Sequence, residues 1–65
     1  MGNIKIIGSA VSKRQHPIGW DCKSKRVYYS KEMAEINWID TFILADTESI
    51  ARQRAQEYID KNSID

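Results

Sequence analysis

One cysteine, Cys22, stands alone among 65 residues, so no internal disulfide can form and the bridged framework of small secreted domains is excluded. A single proline, Pro17, and three isolated glycines, Gly2, Gly8 and Gly19, leave no glycine-rich phosphate loop, proline-rich linker or low-complexity tract. No apolar run approaches the roughly 18 residues a membrane span needs. The opening stretch, Met1 to Ile7, is too short and too interrupted by Asn3 and Lys5 for a signal peptide. Gly2 does not begin a myristoylation signal, because Ile6 stands where a hydroxyl residue is required. These absences point to a soluble cytoplasmic protein held in a reducing compartment. One histidine and one cysteine without clustered partners fall short of the three or four ligands of a zinc site, so neither metal nor other cofactor is expected.

What remains is ordinary globular composition, 42% hydrophobic and 29% charged, which can support one core and one only at this length. Residues 1–65 therefore read as a single small domain. A core of this size supplies about 3 to 5 kcal/mol, so a partner or a second copy would add needed stability. The net charge of +1 conceals an asymmetry. Residues 1–31 carry seven lysines and arginines against Asp21 alone, a balance of +6, and residues 32–65 carry three against eight carboxylates, a balance of −5. Such a division marks either a face for nucleic acid or an acidic partner, or two halves that neutralise each other on folding.

Local pattern predicts three or four antiparallel strands and one helix, an α+β domain. Asn3 to Gly8 clusters Ile4, Ile6 and Ile7 and reads as a first strand that Ala10 and Val11 could extend. Residues 9–19, polar and punctuated by Pro17 and Gly19, read as a mobile loop. Ile18 to Cys22 and Arg26 to Ser30 flank Lys23-Ser24-Lys25 as a hairpin, with one long strand from Asp21 to Ser30 as the competitor. Lys31 to Asn37 fits either a single helical turn capped by Ser30 or a loop. Ile39 to Leu44 is dense in strand formers and ends at Ala45-Asp46-Thr47, where Asp46 or Thr47 can cap a helix over Glu48 to Lys61. Ile50, Ala51, Ala55, Tyr58 and Ile59 fall on one side of that helix, which covers one face of the sheet and leaves the other open to water. A frayed tail is expected from about residue 62.

Two binding surfaces and no catalytic site emerge from this pattern. The basic, aromatic hairpin places Trp20 and Tyr28 among Lys23, Lys25 and Arg26, with Lys13 and Arg14 on the preceding loop. Such cations neutralise phosphates while aromatic faces stack on bases, so a non-enzymatic module binding DNA or RNA is the leading expectation. Strand alternation places Arg26 and Tyr28 outside, and Val27 and Tyr29 under the helix. The alternative is a protein-binding inhibitor or adaptor, or a homodimer, that uses Trp38 with Met33, Ile36 and Phe42 and the sheet. Alternation groups Trp38, Phe42 and Leu44 with Asp40, opposite Ile39, Thr41 and Ile43, so both faces of that strand carry apolar residues. His16 and Cys22 belong to no recognised nucleophile motif and read as an exposed loop histidine and a half-buried structural cysteine. Glu32 with Glu35, and Asp40 with Asp46, read as solvated surface. No small-molecule substrate or membrane partner is expected.

Overall fold

A computed structural model describes residues 3–64 of the chain. Four strands, β1 (Ile4–Val11), β2 (Gln15–Asp21), β3 (Arg26–Tyr29) and β4 (Ile39–Leu44), precede one helix, α1 (Glu48–Lys61). The strands pair antiparallel in chain order, and α1 packs against one face of this open sheet, so the architecture is the expected α+β one.

The helix can lie close because its contact stripe is built from small residues: Ala51 and Ala55 are buried with Ile59 against Ala10, Ile18, Trp20, Val27, Tyr29 and Ala45. Thr47 starts it from an extended conformation, its hydroxyl accepting the Ile50 N–H at 3.2 Å. Trp20 fixes the strand-to-helix junction, because its indole N–H donates to the Ala45 carbonyl at 3.0 Å inside the core. The Ala45 N–H meanwhile donates to the Lys25 carbonyl at 2.8 Å, so both backbone groups of this buried alanine are engaged. Tyr29 packs on Tyr58 with ring centroids 5.7 Å apart, and burial pushes its phenol above the ordinary tyrosine range.

Residues 9–19 are not a mobile loop. β1 continues through Val11, β2 begins at Gln15, and only Ser12-Lys13-Arg14 turns between them. Pro17 is accommodated within β2 because it lies just past the end of β3: its carbonyl accepts the Ser30 N–H at 3.0 Å, and the Ser30 carbonyl, which would face the N–H that proline lacks, is met by the His16 ring instead. His16 is correspondingly buried rather than an exposed loop residue: Nδ1 meets the Ser30 carbonyl at 3.1 Å and Nε2 has no hydrogen-bond partner. Cys22 is exposed on the β2–β3 turn rather than half buried, so the two residues lie at opposite ends of β2 and do not meet.

The chain end also departs from a frayed tail. Ser63 adopts a left-handed φ of 53°, its N–H bonds to the Asp60 carbonyl, and the Ile64 N–H bonds to the Ile59 carbonyl at 3.1 Å. This is a Schellman turn, and Ile64 packs onto the core as its hydrophobic contact. Lys31 to Asn37 is neither helix nor strand. Ser30 holds it from beneath, its hydroxyl donating to the Glu32 carbonyl at 3.0 Å and accepting the Asn37 N–H at 3.1 Å.

Trp20→Phe keeps an aromatic ring in the core but leaves the Ala45 carbonyl without its indole donor. The expected loss is about 1 to 3 kcal/mol of unfolding free energy, read from the urea midpoint; an unchanged midpoint would show that the junction does not depend on that bond.

Candidate binding face

The face of the sheet away from α1 follows from the register. Ile6, Gly19, Tyr28 and Asp40 stand opposite one another across all four strands, and Arg26 stands opposite Leu44. None of these belongs to the core beneath the helix, whereas the alternate row, Ile18, Tyr29 and Ile39, does. Val27 and Tyr29 are buried while Arg26 and Tyr28 are only partly covered, as alternation predicts.

Trp38 lies over the middle of this open face. A side chain at Gly19 would meet the Trp38 ring at 3.0 Å and would overlap the Ile4 methyl, so the glycine is the seat on which the indole rests. Ser30, by closing the loop from Lys31 to Asn37, brings the chain back to place it there. Trp38 is half buried, and the apolar side chains beyond it are open: Ile6 is 54% exposed and Leu44 55%.

The most exposed of them is Phe42, at 79%. Val27 faces Ile43 and Tyr28 faces Asp40, so Thr41 and Phe42 have no partner on β3 and form a two-residue bulge. Phe42 takes a left-handed φ of 62°, a conformation that is a genuine outlier for a bulky side chain. Side chains replace the ladder bonds lost there. The Thr41 hydroxyl donates to the Val27 carbonyl at 2.7 Å and accepts the Ile43 N–H at 3.1 Å, and one Asp40 oxygen accepts the Phe42 N–H at 2.8 Å. The other Asp40 oxygen accepts from Arg26 at 2.6 Å, and that guanidinium lies 5.6 Å from the Phe42 ring centroid. Alternation alone assigned Phe42, Leu44 and Asp40 to one side; it could not reveal the bulge or the knot of Arg26, Asp40 and Phe42 that it creates.

The residues assigned to nucleic acid do not gather in the same way. Trp20 is no stacking platform, because its ring is buried on the helix side and Lys25 Nζ sits 5.3 Å over it. Arg26 is paired with Asp40. Lys23 sits on the β2–β3 turn and Lys13 and Arg14 on the β1–β2 turn, about 20 Å apart by the length of β2. The first of those turns is tied down by Asp21, whose carboxylate accepts the Lys23 N–H at 2.9 Å and is held by that bond below the ordinary carboxylate range. Of the seven residues, only Arg26 and Tyr28 share the open face. For the protein-binding alternative, Trp38 and Phe42 are on it, while Met33 and Ile36 are exposed on the connection between β3 and β4. Gly19 was the missed residue, and a lone glycine inside a strand pattern was the signal that something approaches its backbone.

Side chains of α1 engage backbone groups on both edge strands. Beside β1, Arg52 donates to the Ile7 carbonyl at 3.3 Å, and Gln56 both accepts the Val11 N–H and donates to the Val11 carbonyl, each at 3.0 Å. A side chain at Gly8 would meet Arg52 at 2.8 Å. On β4, Arg54 donates to the Leu44 carbonyl. Such capping blunts pairing with a further strand. Among the described residues no group of three or more His, Cys, Asp or Glu side chains is placed to hold a metal ion, and no helix is long and apolar enough to cross a membrane.

Because the left-handed conformation costs about 1 to 2 kcal/mol for a residue with a side chain and the exposed ring recovers little by contact, Phe42→Gly is expected to raise stability by about 0.5 to 1 kcal/mol. Phe42→Val, β-branched, is expected to lower it, and chemical denaturation of both variants checks the pair; the opposite order would mean the bulge is not strained as described. No family model matches the chain, and neither the curated proteins nor the solved structures include a significant match to it.

Proposed function

We propose that the protein is a non-enzymatic binding module that recognises a protein surface through the uncovered face of its sheet. The observation that carries this reading is Phe42, a large apolar side chain held in solvent in an unfavourable backbone conformation by three dedicated side-chain hydrogen bonds. Strain maintained by its surroundings is concentrated at functional sites, and an exposed aromatic on the same face as Leu44, Ile6 and the Trp38 ring has the composition of an interface centre. Separation of the lysines onto two turns and pairing of Arg26 with Asp40 favour this reading over nucleic-acid binding, which needs cations converging on one backbone path.

Site-selective photo-crosslinking in cells that express the protein tests the reading. A photoreactive residue in place of Leu44, on the open face, is expected to yield discrete protein adducts, and one in place of Gln53, on the outer side of α1, is expected to yield none of them. Equal adducts from both positions, or adducts to nucleic acid from position 44, would overturn it.

A further inference from the structure

Resting on the reading of the open face as a binding surface, we infer that His16 is a pH switch for it: a second proton on the buried imidazole opens the connection between β3 and β4 and releases Trp38 from that face. His16 is the one histidine of the chain and is fully buried. Its Nδ1 lies 3.1 Å from the Ser30 carbonyl, which can only accept, so Nδ1 carries the proton. Nε2 is left as a bare nitrogen with no hydrogen-bond partner.

The surroundings offer nothing to a cation. Ala10 stands opposite on β1, Tyr29 of β3 meets the ring edge-on with centroids 6.4 Å apart, and Tyr58 of α1 packs on Tyr29. Burial holds the Tyr29 phenol above its ordinary range, so it stays neutral. The carboxylates toward this end of the fold are turned to solvent: Asp60 of α1 is exposed and accepts from Gln56, and Glu32 lines an open cleft with the cations Arg14 and Lys31. Neither ring nitrogen bonds to a carboxylate. A second proton would place both a charge and an N–H donor in the interior without an acceptor, a state relieved only by admitting water to Nε2.

The element that yields most easily is the irregular one. β1, β2 and β3 are held in ladders and α1 is packed on the core, whereas Lys31 to Asn37 is neither helix nor strand and is closed through the Ser30 hydroxyl. Ser30 belongs to both structures: its carbonyl meets the imidazole, its N–H is bound by Pro17, and its hydroxyl accepts the Asn37 N–H. Trp38 follows Asn37 directly and rests on Gly19. Displacement of Ser30 therefore frees Asn37 and lifts the indole. Because the closed form holds one proton fewer than the open form, closure is complete well above about pH 6.5, where an unhindered imidazole is neutral, and is lost as pH falls below it.

NMR of the full chain between about pH 7.5 and 5 decides this, since a single histidine gives unambiguous ring signals. At the neutral end the ring is expected to carry its proton on Nδ1. On acidification the His16 ring, the Asn37 amide and the Trp38 indole are expected to shift with one midpoint. Hydrogen exchange at Asn37, corrected for pH, is expected to quicken roughly tenfold or more while Ala55 in α1 keeps its protection. His16→Asn, whose amide can donate to the Ser30 carbonyl but takes up no proton, is expected to abolish the pH dependence. Ser30→Ala, without the hydroxyl, is expected to show the acid position of the Trp38 indole already at neutral pH. The wild-type measurements decide the matter even if a variant fails to fold. A proton on Nε2 at neutral pH, a ring that takes no second proton in this range, a ring that titrates without moving Asn37 and Trp38, or protection lost in the connection and α1 together would overturn the inference. No partner enters these readouts, so their failure leaves crosslinks from position 44 standing, and absence of those crosslinks leaves the titration standing.

Discussion

The bulge in β4 is the constraint on which the exposed side of the molecule depends. A regular strand through residues 39–44 would place Thr41 and Phe42 in the ladder and leave the Arg26 and Asp40 side chains to a flat surface. Instead Thr41 turns inward to satisfy the Val27 carbonyl, Asp40 closes back on the Phe42 N–H, and Phe42 is pushed outward with a left-handed backbone. Each of those bonds supplies about a kilocalorie per mole, together enough to hold a conformation that costs a similar amount. The sequence Asp-Thr-Phe is thus a local device. Its short polar side chains substitute for backbone partners so that a large apolar one can be displayed.

The remainder of the fold supports that display. The helix face is filled, with alanines allowing α1 to approach and Trp20 securing the junction before it. Polar side chains of α1 reach backbone groups on both edge strands, so Arg52, Arg54 and Gln56 serve the strands rather than solvent alone. Ser30 folds the long connection so that Trp38 comes to rest on Gly19. The other face is covered only in part, by Trp38 over Gly19, and its Arg26 and Asp40 are paired with each other.

Much of this was legible in the residues, and what was not has identifiable physical reasons. β4 and α1 were evident because strand formers and a 3.6-residue apolar stripe meet at a capping threonine, where local and tertiary preferences agree. The β2–β3 hairpin was evident for the same reason. β2 was misjudged at its start because Pro17 and the run from Lys13 to His16 resemble a loop. Pairing with β1 on one side, and the end of β3 on the other, override that local preference. The seven residues proposed for nucleic acid were adjacent in sequence but divided in space, since a hairpin sends its two turns to opposite ends of a strand. The open face was inferred from having one helix for four strands, yet its centre was not, because a two-residue bulge preserves the inside-outside alternation of the residues around it and leaves no trace in the pattern.

The backbone of Phe42 is where the account is most directly measured. In an NMR spectrum of the protein, a left-handed residue gives a strong cross-peak between its own amide and α protons, and the knot described above adds cross-peaks from the Phe42 ring to the Arg26 side chain. Observation of both is the predicted result. A weak intraresidue peak with a strong sequential peak from the Thr41 α proton, as an unbroken strand gives, would contradict the central claim.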